Sequence, residues 1–203
     1  MTRYGMVIDL RQCLGCNACT LACKVENGTP KGVFWHRVVQ MEVGKYPFAN
    51  RQYLPMPCMH CENPPCVDVC PTGASFKRED GIVVVDYDKC MGCGYCRVAC
   101  PYEARTRVEK IEGYFPESGL TPYEEVAFQK HQLGVAEKCD FCALRLSRGE
   151  QPACVETCPS YARHFGDLDD PESEVSRLIA ERHGHQLMPE LGTNPSVYYL
   201  PVY

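Results

Sequence analysis

Cysteine is the residue type that carries chemistry in this sequence: sixteen among 203 residues, in four groups of four with none left over. The groups are Cys13, Cys16, Cys19 and Cys23; Cys58, Cys61, Cys66 and Cys70; Cys90, Cys93, Cys96 and Cys100; and Cys139, Cys142, Cys154 and Cys158. Groups one and three have the spacing C-x2-C-x2-C-x3-C, group two C-x2-C-x4-C-x3-C and group four C-x2-C-x11-C-x3-C. Proline follows the last cysteine in every group but the first, where Lys24 stands. Three thiolates at such intervals on an irregular loop wrap one iron–sulfur cubane, while the fourth, a turn further on, points away and reaches another. Proline's fixed φ and missing N–H suit a chain redirected at that point. All sixteen cysteines are therefore candidate iron ligands, enough for four [4Fe-4S] clusters.

Two other uses of cysteine compete. Disulfide frameworks belong to short secreted chains, and structural zinc favours isolated C-x2-4-C pairs over runs of three completed by a fourth. Composition points the same way as spacing. The apolar share of 45% falls to roughly 37% without cysteine, below the usual globular share. Clusters must then replace part of the core, and their binding is expected to be coupled to folding. The formal charge of −5 becomes about −13 with four oxidised clusters. No basic stripe offsets it, so nucleic acid is an unsuitable partner. No apolar run approaches the ~18 residues of a membrane span; the longest, Ile82 to Val85, reads as a strand.

Strands and turns must position the groups. Met6 to Leu10 reads as a strand feeding the first group, and MTRYGMVIDLRQC lacks the pattern of a signal peptide or a twin-arginine pair. Phe34 to Glu42 and Arg51 to Leu54 read as extended, NGTPKG as a turn, and Trp35 as packed under a loop. Lys24 has two readings, a solvated surface lysine or a charge favouring the reduced state of a cluster. His36 and His60 are not needed as ligands because the quartets are complete; for His60 a hydrogen bond to cluster sulfur is the expected role. PTGASFKREDGIVVVD predicts a hairpin turning at Arg78 to Gly81. After Cys100 comes a long polar and aromatic spacer with GYFPESGLTP punctuation and a helical turn near Tyr123 to Gln129, the kind of segment that docks partners. ALRLSRGEQPA predicts a short helix and turn, with Lys138, Arg145 and Arg148 as a basic edge or as solvated charges. From Pro171 a helix follows with Val175, Leu178 and Ile179 on one face, and then an extended aromatic tail.

The four groups are of two kinds. Groups one and three follow strands that end in acidic turns (GMVIDLRQC, GIVVVDYDKC); groups two and four end in CP and run into strands (CPTGASFKREDG, CPSYARHFGDLDD). A two-cluster ferredoxin core needs one of each kind with its strands paired. The second and third groups meet through their own hairpin, so the strand of the first must pair with that of the fourth. The predicted fold is α+β, two ferredoxin-like [4Fe-4S] modules with one inserted into the other. Residues 1–57 and 139–170 make the outer module, the former with its spacer; 58–101 are the inner module, 102–138 a docking spacer, and 171–203 a helix and tail. The three-plus-one rule assigns Cys13, Cys16, Cys19 and Cys158 to cluster 1; Cys58, Cys61, Cys66 and Cys100 to cluster 2; Cys90, Cys93, Cys96 and Cys70 to cluster 3; and Cys139, Cys142, Cys154 and Cys23 to cluster 4. Sequential pairing of groups one with two and three with four is the alternative.

From GMVIDLRQC through HCENPPC, CPTGA, KCDFCALRL, PACVETCP and FGDLDDPESEVSRLI to LGTNPSVYYLP, the sequence resembles the four-cluster iron–sulfur subunits of molybdopterin oxidoreductases. These are the dimethyl sulfoxide, polysulfide, thiosulfate and arsenate reductase types, and the polysulfide type is the most similar. Relatives with tryptophan at the second cysteine of group three hold a three-iron cluster there; this chain has Cys93, which implies four [4Fe-4S] clusters. The resemblance implies electron transfer between a molybdenum or tungsten pterin catalytic subunit and an integral-membrane, quinone-linked subunit, with membrane association through partners. It implies the periplasmic face by co-export, with the cytoplasm as the alternative. No catalytic constellation or phosphate loop suggests turnover by this chain alone. A free polyferredoxin carrier and a zinc scaffold remain as competing functions.

Overall fold

The computed structural model describes residues 2–115 and 117–202. Met1, Pro116 of the GYFPESGLTP turn and Tyr203 of the aromatic tail lie outside the described residues. In chain order the elements begin β1 (Tyr4–Asp9), α1 (Ala18–Asn27), β2 (Arg37–Val43), β3 (Asn50–Met56), α2 (Pro65–Asp68), β4 (Ser75–Lys77), β5 (Val83–Val85) and α3 (Tyr95–Ala99). They continue with β6 (Thr106–Arg107), α4 (Pro122–Ala127), β7 (Ala136–Glu137), α5 (Ala143–Leu146), α6 (Ala153–Glu156), β8 (Arg163–Asp167), α7 (Glu174–Glu181) and β9 (Val197–Leu200). The mixture is α+β, and most elements are short because loops around cysteines take up the chain between them.

β1 is the centre of a three-stranded sheet in the order β8-β1-β9. It pairs antiparallel with β8 (Met6 opposite Phe165) and parallel with β9 (Met6 opposite Val197). A central strand has both faces covered. Met6 and Ile8 enter the main core with Phe141, Phe165 and Tyr199, while Val7 packs with Val175 and Leu200 under α7. Gly5 is required where it stands, because a Cβ there would lie 2.4 Å from Leu168 and 2.7 Å from the Ser196 carbonyl. The tail, expected only as extended, is thus the third strand of this sheet.

The other sheets are two-stranded. β2 and β3 form a seven-residue hairpin whose tip exposes Tyr46 and Phe48. β4 and β5 form the hairpin expected around Arg78 to Gly81. β6 and β7 pair the two ends of the spacer, so its ends are held together. Within it, Thr121 and Glu124 make a reciprocal capping box at the start of α4.

Burial overturns three surface expectations. Lys24 is half-buried, not a solvated lysine: Nζ donates to the carbonyls of Thr29, Pro30 and Val33 and to Thr29 Oγ1, closing the loop after α1. Lys138 is no part of a basic edge; it is buried and donates to the carbonyls of Val83 and Cys139. Arg145 is tied into a local network with Glu26, Glu150 and Glu156. Trp35 does more than fill space, since its Nε1 donates to the fully buried Glu137, whose other oxygen is 2.7 Å from His131 Nδ1.

Candidate metal centres

Three cysteine quartets each surround a cavity. Cys13, Cys16, Cys19 and Cys158 line one; Cys23, Cys139, Cys142 and Cys154 line a second; Cys58, Cys61, Cys66 and Cys100 line a third. The three are similar in size. The remaining four have separate surroundings. Cys90 and Cys96 pack beside Cys66 and Val83, Cys93 is exposed at the rim of a wide groove, and Cys70 is partly exposed beyond α2.

One backbone device recurs in all four groups, including this last one. The residue just before the second cysteine has positive φ: Gly15 (67°), His60 (43°), Gly92 (71°) and Phe141 (55°). The left-handed turn brings the second cysteine back toward the first. Two of the four are glycine, as such a φ favours. His60 and Phe141 accept a conformation that non-glycine residues adopt at a cost of about 1–3 kcal/mol. Their rings stack on each other at 3.7 Å between centroids, which helps to hold both in place.

The fourth cysteines share a second device. After each CP the chain turns so that a backbone N–H donates to the sulfur: Ser75 to Cys70 (3.3 Å), Ala104 to Cys100 (3.5 Å) and Ala162 to Cys158 (3.3 Å). A donor aimed at sulfur favours the thiolate. At Cys70, although partial burial opposes ionisation, the N–H of Ser75 and the hydroxyl of Thr72 outweigh it and lower the thiol. In the cavities burial dominates. It pushes Cys61 and Cys142 up to about 12, with neighbouring cysteines adding to the shift. Cys139 is raised well above its ordinary value for the same reasons, Cys23 and Cys58 being among its neighbours. Crowded, buried thiols of this kind take the thiolate form only when bound cations compensate.

Two cations are buried among these sulfurs. Arg105 is 4% exposed and donates from Nη2 to Cys66 Sγ at 3.0 Å and from Nη1 to Ser75 Oγ at 2.8 Å. Arg163, also 4% exposed, donates to His36 Nε2 at 2.8 Å and to Met6 Sδ at 3.3 Å. His36 is neutral, held well below its usual range by burial and then by Arg163. Its Nδ1 therefore carries the proton and donates to Thr20 Oγ1. Among the described residues, the buried side-chain polar atoms left without a partner are His60 Nε2, Arg105 Nε and Arg163 Nε. Because His60 Nδ1 accepts from the Val83 N–H, its Nε2 bears the hydrogen. All three orphans are N–H donors; Arg105 and Arg163 line cysteine cavities, whereas His60 lines none of the three and borders a separate groove with Arg3, Glu62 and Lys77, so the hydrogen bond to cluster sulfur expected of it has no support in the cavity linings. Buried donors without acceptors are rare; at Arg105 and Arg163 the inorganic sulfide of a bound cluster would be a fitting acceptor. Four cysteines at each of the three cavities, with a buried guanidinium and an unsatisfied N–H donor at two of them, fit anionic [4Fe-4S] clusters.

Sequence reasoning did not single out Arg105 and Arg163. The signal was present as a repeat, CPYEAR at residues 100–105 and CPSYAR at 158–163.

Comparison with known proteins agrees with this chemistry. Two families, each described as a 4Fe-4S dicluster domain, match residues 12–74 in one case and 49–114 and 107–168 in the other. A selenate reductase subunit of Mesobacillus selenatarsenatis is 47% identical over 98% of this chain and 72% of its own length. A sulfite dehydrogenase subunit of Allochromatium vinosum is 45% identical over 99% of this chain and 84% of its own. The arsenate respiratory reductase iron–sulfur subunit of a Shewanella species is 40% identical over 98% and 96%.

Proposed function

The chain belongs to the 4Fe-4S dicluster family of oxidoreductase iron–sulfur subunits, and from that premise we propose that it is the electron-transfer subunit of a molybdopterin-dependent complex. When bound, four [4Fe-4S] clusters supply successive one-electron stations. The chain's part is to hold them, exclude water from them and set their surroundings. The observation that carries this reading is the set of similar cysteine-lined cavities, which adjoin in series. Cys19 and Cys154 of the first and second cavities share one core with Cys61 of the third. The Cys139 thiol is raised by burial and then by neighbours that include Cys23 and Cys58, and Cys66 packs beside Cys96. These contacts support the order of clusters 1, 4, 2 and 3 for the stations. The relatives are named as subunits, which favours a fixed subunit over a free carrier.

The ligand sets proposed are Cys13, Cys16, Cys19 and Cys158; Cys139, Cys142, Cys154 and Cys23; Cys58, Cys61, Cys66 and Cys100; and Cys90, Cys93, Cys96 and Cys70. The cavity linings support the first three, and the shared positive-φ turn supports treating Cys90, Cys93 and Cys96 alike. An inner module of residues 58–101 lies between the halves 1–57 and 139–170 of an outer one. Its supports are the pairing of β1 with β8 and the closed β4–β5 hairpin. The family match across residues 12–74 spans groups one and two together and is the observation on the side of sequential pairing. Residues 102–138 form a docking segment, and 171–203 close the outer sheet through α7 and β9.

The partners proposed are a molybdenum or tungsten pterin subunit and an integral-membrane quinone-linked subunit. Among the described residues no helix is long and apolar enough to cross a membrane, so membrane association would come through that second partner. The site of action proposed is the periplasmic face. Anaerobically purified protein should contain close to sixteen irons per chain, four for each of four cubanes. Native mass spectrometry of the complex should show a much larger catalytic chain bound. An intact, folded, iron-free preparation would defeat the proposal, and a stable iron-loaded monomer without a partner would favour the free carrier.

A further inference from the structure

Arg105 and Arg163 occupy equivalent places. Each is the fifth residue after a CP-terminal cysteine, in CPYEAR and CPSYAR, and each side chain is buried beside a cysteine cavity. The third CP sequence, CPTGAS, has Ser75 at the same place, and Ser75 is what Arg105 Nη1 binds. Among the described residues neither guanidinium is within salt-bridge distance of a carboxylate, and the partners of both are sulfur, a hydroxyl and a neutral imidazole. Each also has an Nε–H with no acceptor. A buried charge without a counter-ion costs several kcal/mol, so space alone would be filled better by an apolar side chain. The counter-charge available is that of the clusters. Arg163 lines the cavity of cluster 1 and bonds His36 and Met6, which line that of cluster 4; Arg105 lines the cavity of cluster 2 and bonds Cys66, which packs beside Cys96 of cluster 3.

We propose that Arg105 and Arg163 are the potential-setting residues of the electron path, one buried guanidinium shared by the two clusters of each module and favouring the reduced form of both. The proposal rests on reading the quartets as [4Fe-4S] ligands. An electron added to a site that already carries about −2 must overcome that charge and the charge of its neighbour. A fixed cation near both lowers that cost for each and raises both potentials. The nested pairing makes the prediction specific: the two arginines should act on different pairs of clusters.

The test is a redox titration followed by electron paramagnetic resonance on the anaerobically purified full chain, with iron analysis of each sample. In Arg163→Gln two of the four midpoint potentials should fall, and in Arg105→Gln the other two. At the parent's midpoint the reduced-to-oxidised ratio of the affected clusters should drop at least tenfold, about 59 mV for one electron. Arg→Lys at either position keeps the charge and should retain most of the parent potentials. Glutamine variants with full iron and four unshifted potentials would overturn the proposal. So would lysine variants that lose iron, because packing rather than charge would then be what the guanidinium provides. A parent chain far short of sixteen irons would instead defeat the underlying reading of the quartets.

Discussion

Cys158 joins, across a long stretch of sequence, the cavity lined by the first cysteine group. Its sulfur faces the cavity of Cys13, Cys16 and Cys19, although Cys19 is 139 residues away in sequence. Cys158→Ser should therefore alter the resonance of the cluster held by Cys13, Cys16 and Cys19; a change confined to another cluster would reject that pairing. Lys24 matters for a different reason. Its ammonium answers three carbonyls of a loop whose Thr29 and Val33 are buried. Burial brings it down to about 8, and three acceptors keep it useful whether or not a cluster is near. Lys24→Met leaves those carbonyls unanswered, and buried acceptors without partners cost about 1–3 kcal/mol. Thermal unfolding of the anaerobic protein should show that loss as a lower midpoint with unchanged iron content.

Among the elements, β1 is the one on which two others depend, since β8 and β9 both pair with it. Its last residue, Asp9, is 1% exposed and bonds Arg182 just after α7, an ion pair that clamps the helix to the sheet. Burial alone would raise the Asp9 carboxyl, but the hydrogen bond and charge of Arg182 and the Arg11 N–H outweigh it and hold it below the ordinary value. The sign of the pH effect follows. A depressed native carboxyl contributes stability that is full above the unfolded pKa of about 4 and is lost as pH falls through the native value. Arg182→Met should cost about 1–3 kcal/mol at neutral pH, less than a fully buried pair because Arg182 is partly in water. It should also move acid unfolding to higher pH than in the parent. Coincident acid curves would show that the clamp is idle.

At the scale of the whole molecule the interior is built jointly from apolar side chains and cysteine. Among the described residues eight cysteines are as buried as the aliphatic core: Cys19, Cys23, Cys58, Cys61, Cys66, Cys96, Cys142 and Cys154. Emptying four clusters would leave those thiols facing cavities, together with Arg105 and Arg163 deprived of counter-charge. Removal of iron by a chelator under reducing, anaerobic conditions should therefore abolish cooperative unfolding and near-ultraviolet dichroism, not merely lower the midpoint. An apo chain that keeps a sharp thermal transition would show that the polypeptide core suffices.

Read without coordinates, the chain already disclosed its chemistry, because cluster ligation is a matter of residue type and local spacing. The sixteen thiols, the hairpin across Arg78 to Gly81 and the strand before the first group are all short-range patterns. What lay beyond it was whatever depends on contacts between distant residues. The tail became a strand only because β1 had a free edge, and Lys138 turned inward only because the Val83 carbonyl lies 55 residues away in sequence and next to it in space. Arg105 and Arg163 were not singled out from the sequence. Tertiary structure alone buried them against sulfur, since the charge of a side chain is written in its sequence while the charge it must answer is assembled by the fold.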